Sequence, residues 1–492
     1  MSKLLFPPTL LLFVTCCWSN HAFARLNTLT SGVSINYDYD ETAYKKDESS
    51  ELSTAGQDSS LNQISLSPLL IVTSESSIDS LTIRFNPSFA YDQEASQSDI
   101  DHNFLISTHR DLNNRLRLTF NNHFIYSDDP ELIKDEDSSD YNKGRKRYWR
   151  NDLTLGTTYT YATNSSVGGG YAYRMLRNDD TGIGGYEDYD KHTANISLRH
   201  HFDRSWNIDF YSSYTRGLFD PPDQESVETI GNELEKTDPG ITEGINTDSL
   251  SNDLSEYRTA TTVNWVLSSQ KTFLITHSFV GSNYDAILRN DSNLHDLTFG
   301  AQYKHSKQLS FELGGGPSYE KTESFDANWG YNAHLNTSFN ISKHSSISAG
   351  IEKGYNIQNF SQNNTILGKD QGLTDFWKWN INFTHKLTKN IDTSLWINYR
   401  DEKQESILYG LANNPETEVS GGVINDETIR EESVFSRKTY EAGTSLKYSF
   451  LQWYTASLKY TFRQQDSEEV NDSYDEHRVF LSLSVEKELL RW

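Results

Sequence analysis

The chain has 492 residues, a formal net charge of −25 at neutral pH and 35% hydrophobic residues. An acid excess of that size disfavours a nucleic-acid partner, and beyond the first residues no stretch approaches the roughly 18 consecutive apolar residues of a membrane helix. So polar a chain would suggest disorder, but 28 Tyr, 24 Phe and 10 Trp with only 10 Pro suit a half-wetted sheet instead.

The first element reads as a leader over 1–24. Lys3 supplies the positive end, Leu4 to Val14 the apolar run, and Ala22-Phe23-Ala24 a small-x-small cleavage site. Cys16 and Cys17 leave with it, without a good lipidation box. The mature chain, starting near Arg25, then holds no disulfide, thiolate metal site or cysteine nucleophile.

From Arg25 onward the apolar period is 2, the repeat of a strand with two different faces. Leu116, Leu118, Phe120 and Phe124 alternate with Arg115, Arg117, Asn121 and His123. Trp329, Tyr331, Ala333 and Leu335 alternate with Gly330, Asn332, His334 and Asn336 in the same way. The pattern predicts strands over 30–39, 61–72, 79–91, 100–110, 115–126, 148–162, 166–178, 190–202, 205–217 and 255–267. It continues over 272–284, 293–304, 308–320, 328–341, 344–358, 373–387, 391–402, 437–450, 453–465 and 477–490. That is 20 strands, with 18 or 22 as neighbouring counts.

Short polar turns such as Asn113-Asn114 and Thr388-Lys389-Asn390 alternate with long connections at 40–60, 127–147, 218–254, 359–372 and 403–436. Short turns at one rim and long loops at the other are the layout of an outer-membrane barrel. In lipid an open sheet edge leaves backbone groups unpaired, so the sheet must close. The expectation is an all-β chain: one transmembrane antiparallel β-barrel over 25–492, with both termini at the periplasmic rim. A large secreted propeller or β-helix also fits the alternation, but not strands of this length. Tyr37 and Tyr39, Tyr159 and Tyr161, Trp377 and Trp379, and Tyr460 and Phe462 sit near strand ends, where interfacial girdles form. In the last strand Leu481, Leu483 and Val485 share one parity and Trp492 has the other, which requires a bulge or a frayed end.

If the apolar parity meets lipid, the other lines the lumen. Its bases are Arg84, Arg115, Arg117, Arg174, Arg199, Arg258, Lys304, Lys378, Lys386, Arg400, Lys447, Lys459 and Arg463. Its acids are Asp209, Asp296, Glu312, Glu320, Glu352, Asp392 and Glu441, so thirteen bases face seven acids. Such walls favour anions in a narrow wet channel; alternatively the bases pair with the acids and brace the wall. Tyr211 and Trp396 on this parity offer a sugar a stacking face. Gly168, Gly170, Ala172, Gly314, Gly316, Gly350 and Gly354 leave room for a plug or a bulky solute or let the wall bend sharply, and either way thin it locally. The acid collects in the loops: 218–254 has ten Asp/Glu against Lys236 alone. Asp135, Glu136, Asp137 and Asp140 form the densest cluster, suited to solvation or to a divalent cation shared with lipopolysaccharide.

No G-x-S-x-G, H-E-x-x-H or G-x-G-x-x-G stands in a catalytic context. Gly168-Gly169-Gly170 and Gly314-Gly315-Gly316 lie inside strands, and His200-His201 ends one without evident metal partners. No enzyme activity, cofactor or metal is expected. No plug domain or helical-repeat scaffold is read ahead of the barrel.

The leader, the length, the hairpin repetition and the Tyr/Asn/Ser-rich strands resemble the outer-membrane β-barrel proteins of bacterial exopolysaccharide gene clusters, also described as beta-barrel porin-2-like. The resemblance covers 25–492 and has no diagnostic short motif. It implies an outer-membrane exit for a secreted polysaccharide, working with a periplasmic polysaccharide-export partner. Outer-membrane lipid, lipopolysaccharide and the barrel-assembly machinery are the other expected partners. The alternatives are a general or anion-preferring diffusion porin and a structural or adhesive barrel.

Overall fold

The computed structural model describes residues 25–45, 59–129, 147–179, 188–220, 253–285, 291–323, 327–359, 372–408, 431–468 and 473–492. The leader expected over 1–24 lies outside them. All regular structure among the described residues is strand. In chain order the strands are β1 (Leu26–Tyr44), β2 (Ser59–Glu75), β3 (Asp79–Phe85), β4 (Ser88–Asp92), β5 (Gln97–Asn113), β6 (Leu116–Ser127) and β7 (Tyr148–Ala162). Then follow β8 (Ser165–Asn178), β9 (Tyr189–His201), β10 (Trp206–Phe219), β11 (Leu254–Ser268), β12 (Lys271–Tyr284), β13 (Ser292–Lys304) and β14 (Leu309–Thr322). The last are β15 (Asn328–Ser342), β16 (Ser345–Gln358), β17 (Gly372–Thr388), β18 (Ile391–Leu408), β19 (Glu431–Phe450), β20 (Tyr454–Ser467) and β21 (Tyr474–Arg491).

Each strand pairs antiparallel with its sequence neighbour, and β1 also pairs with β21, so the sheet closes. β3 and β4 both lie between β2 and β5 and form one crossing, interrupted at Asn86-Pro87. Proline has no N–H for the ladder, and Asn86 fills the break by donating its side-chain amide to the Pro68 carbonyl at 2.9 Å. The result is a closed 20-strand barrel. Outer-membrane barrels of that size enclose a lumen too wide for wall side chains alone to fill.

Which face is which follows from solvation. Ile35 pairs with Leu66 on one side and Leu483 on the other, and all three are exposed. Ile381 opposite Ile397 and Leu446 opposite Leu458 extend this apolar band. In water such a surface would be strongly unfavourable; in a bilayer, acyl chains cover it. Aromatic pairs mark both margins. Trp206 stacks on Trp265 at 5.5 Å near the short turns, and Tyr214 meets Tyr257 at 5.0 Å near the opposite rim. The parity conflict at the C-terminus is resolved by a bulge. Leu29 pairs with Leu490 and Thr30 with Glu488, so the extra residue Leu489 returns Leu490 to the face of Leu483. Trp492 and Asn27 then exchange two backbone hydrogen bonds, of 2.9 and 3.1 Å.

Two connections are shorter than the sequence reading has them. β1 continues to Tyr44, while β18 reaches Leu408 and β19 starts at Glu431, inside the spans read as loops at 40–60 and 403–436. These extensions rise above the lipid, where the outward face no longer meets acyl chains and alternation fades although the ladder persists. The outer rim also has tight connections: Gln93–Ser96 joins β4 to β5, with Ser96 left-handed at φ 51°.

Candidate functional site

The register turns every base of the sequence-derived set inward except Arg115, which sits in the Asn113–Leu116 turn rather than in β6. The turn needs it there, because Asn113 Oδ1 accepts the Arg115 and Leu116 amides at 2.8 and 3.0 Å. The inward face also holds charges the sequence reading missed. Among them are the bases Arg150, Lys191, Arg437 and Arg478, and the acids Asp38, Asp40, Asp99, Asp101, Asp111, Asp152, Glu256, Glu402 and Glu476. The excess of thirteen bases over seven acids is therefore not the balance of the folded lumen. Asp38 and Asp40 alternate with Tyr37 and Tyr39, a signal present in the sequence. Glu402 and Arg437 lie above the apolar band, where that signal ends.

Most inward bases have acid partners. Arg117 meets Asp111, Arg174 meets Asp152, Arg199 meets Asp209 and Arg258 meets Glu256, all at 2.6 Å. Toward the outer rim Arg400 and Arg437 share Glu402, at 2.5 and 3.4 Å. Arg463 bridges Glu441 and Glu476 at 2.9 and 2.8 Å. Lys386 stands 4.0 Å from Asp392. Among the described residues Arg84, Lys304, Lys378 and Lys447 have no ion-pair partner, and Lys459 lies over the Trp396 ring, 5.6 Å from its centre. Lys304, Lys447 and Lys459 all sit toward the short-turn end of their strands. Salt bridges thus line the lumen from one rim to the other, and the periplasmic part also carries ammonium groups without an ion pair among the described residues.

The outer lumen is also packed with apolar groups. Ile125, Tyr148, Leu176, Tyr189, Phe219 and Leu254, from the outer ends of β6 to β11, form one buried inward cluster, with Tyr284 of β12 against it. A side chain that faces into a barrel yet is shut off from water must be covered from within. Some of the covering is described. β16 pairs with β15 only from Ser345 to Lys353, but with β17 along its whole length. Beyond Lys353 β16 parts from β15 while β17 keeps its ladder with β18 out to Thr374, so the outer end of β16–β17 curls inside the neighbouring wall, and Ile357 and Leu373 pack on Leu294 of β13, beside Val280 of β12. Gly330 of β15 permits this, because a Cβ there would collide with the Tyr355 hydroxyl.

A buried polar latch holds the tucked tip. Asn359, 2% exposed, donates to Glu256 Oε2 and to Ser282 Oγ, both at 2.5 Å, and accepts from the Tyr284 hydroxyl at 2.7 Å. Arg258, on the wall beside Glu256, donates to the Ile357 carbonyl at 3.4 Å. The connection after β6 makes a second crossing. Asp129 reaches past the inner faces of β1 to β5 to Arg478 of β21, at 3.1 Å, while Arg478 also holds Asp38 at 2.6 Å. Pairing of β13 with β14 lapses at Gly316-Pro317, where Gly316 abuts the Leu297 carbonyl.

Asp99, Asp101 and Asp128 lie close enough to share a cation, but Arg147 already pairs with Asp99. The cluster Asp135, Glu136, Asp137 and Asp140 lies outside the described residues. His200 faces outward and stacks on Tyr161, as a girdle residue does.

No protein-family model matches the chain, and no curated protein does. Its fold is similar to that of the FrpB iron transporter from Neisseria meningitidis, at 7% identity and a TM-score of 0.51, with 93% of this chain and 82% of that one covered. The siderophore receptor PirA from Pseudomonas aeruginosa aligns at 9% identity and a TM-score of 0.48, covering 94% of this chain and 80% of that one. OccAB3 from Acinetobacter baumannii gives 10% and 0.42, with 93% and 99% covered. Identities this low speak to fold alone. With its closed sheet, lipid-facing band and aromatic margins, the chain is an outer-membrane β-barrel.

Proposed function

We propose that the chain is a passive outer-membrane channel for small hydrophilic solutes, a diffusion porin with a preference for anions. The observation that carries this reading is the tucked β16–β17 tip, a piece of the wall itself that narrows an otherwise wide lumen. A constriction made by the wall itself leaves room for hydrated small molecules, whereas the exit for a bulky polymer needs a wide outer mouth. Paired charges set a transverse field across the passage, and the unpaired Lys304, Lys447 and Lys459 lower the cost of an anion at its periplasmic end. The channel makes and breaks no bond; solutes cross by diffusion.

The sequence resemblance favours export of an exopolysaccharide, and the narrowed mouth weighs against it. Planar-bilayer recording of the purified, refolded barrel tests both. A steady conductance with an anion-selective reversal potential, and a size limit near small oligosaccharides, is expected. A folded barrel that carries no current would overturn diffusion. Free passage of long polysaccharide chains would return the reading to export.

A further inference from the structure

We propose that the inner wall around Trp396 is a docking platform for the ring of an acidic saccharide. This deepens the channel reading by naming a solute class, and rests on it only for the route of access. Trp396 points into the lumen from β18, opposite Gly443 of β19. Its six-membered ring occupies the place where a side chain at 443 would begin, so the indole lies down on the wall against glycine backbone. A flat indole on the wall of a wet channel presents a stacking face, as pyranose rings require.

The surroundings select what stacks. On the outer side the indole Nε1 donates to Glu441 Oε1 at 3.0 Å, and Asn398 Nδ2 donates to the same oxygen at 3.2 Å. Arg463 holds the other oxygen at 2.9 Å. That carboxylate is neutralised and fixed, and it fixes the indole in turn. On the periplasmic side stands Lys459, an exposed ammonium 5.6 Å from the ring centre with no ion pair among the described residues. Lys447, likewise unpaired, is one inward position further along the same wall, on β19. Inward neighbours Asn382, Ser394 and Ser445 supply amides and hydroxyls. An indole face with an ammonium over it, and neutral polar groups beside it, suit a polyhydroxylated ring with a carboxylate. A purely apolar ring would strand the amides and hydroxyls.

Titration calorimetry of the detergent-folded barrel with trigalacturonate, and with maltotriose as the neutral control, tests the site without requiring current to flow. Trigalacturonate is expected to bind, and Trp396→Ala to weaken it by roughly tenfold. Lys459→Gln should weaken it by a similar factor, and Trp396→Phe should retain most of the affinity. Heat-modifiable gel mobility checks that each variant is folded, and Lys459→Gln carries the test if Trp396→Ala does not fold. Trigalacturonate binding unchanged in the folded variants, or absent in the wild type, would overturn the platform. Equal binding of maltotriose, insensitive to Lys459→Gln, would overturn the acidic class. A barrel that binds trigalacturonate without conducting ions sinks the diffusion reading and leaves the platform standing.

Discussion

The latch at Asn359 makes the sharpest prediction. Asn359→Ala removes one hydrogen bond to the Glu256 carboxylate, worth about 1.5–3 kcal/mol, and two to neutral hydroxyls, each worth about 0.5–1.5 kcal/mol. These bonds share one buried network, so their losses do not add. Arg258 still holds Glu256, which spares the variant an unpaired buried charge. About 3 kcal/mol is then the expected cost, a shift of roughly a hundredfold toward the untucked tip. Tyr284→Phe removes one bond and should shift it only about fivefold, ~1 kcal/mol. The assay uses Ile357, whose side chain is 2% exposed under the tip. With Cys16 and Cys17 removed, Ile357→Cys provides a unique thiol. Its labelling rate by a charged reagent follows the untucked fraction, so it should rise about a hundredfold in Asn359→Ala, with a larger single-channel conductance. Unchanged labelling and conductance would refute the reasoning, leaving the tip held by the β17–β18 ladder and its apolar contacts alone.

Four further outcomes are expected. Gly330→Val drives a side chain into the Tyr355 hydroxyl, so conductance should rise without loss of the barrel, and Tyr355→Ala should relieve the clash in the double variant, as bilayer recording would register. Arg463→Ala strands Glu476, which is buried beside it, and should cost about 3–5 kcal/mol, read as a lower unfolding midpoint in heat-modifiability gels. Joint replacement of Lys378, Lys447 and Lys459 by Gln should move the reversal potential toward cations, and an unchanged potential would mean that these amines do not face the ion path. Ile397→Arg places a charge in the lipid-facing band and should cost about 2–4 kcal/mol if near the bilayer midplane, measured by urea unfolding in lipid vesicles.

The strands and their faces were legible because both depend on neighbours two residues apart. Alternation at Trp329, Tyr331 and Leu335 states the pleat, and the lipid requirement for paired backbone states the closure. Even the terminal bulge was visible, as a parity conflict between Leu483 and Trp492. Trp396 and Lys459 were placed on the inner face by the same argument. What they do together was not, since their contact depends on two different strands and on glycine at 443.

Charge pairing escaped the sequence for the same reason. Asp38 and Arg478 meet across 440 residues because β1 and β21 close the barrel, and no local pattern joins them. The inward acids that offset the basic set sit partly above the apolar band, where neither face meets lipid and the alternation carries no information. The tuck of β16 is the extreme case. Ser345 to Gln358 alternates as a wall strand should, yet its outer part turns inward away from β15 because Gly330 admits Tyr355 and Asn359 finds Glu256, 103 residues away. Sequence alone determined that there is a barrel and which way its side chains point, since period and solvent act locally. How open that barrel is was decided by tertiary structure, through buried contacts between residues that meet only once the sheet has closed.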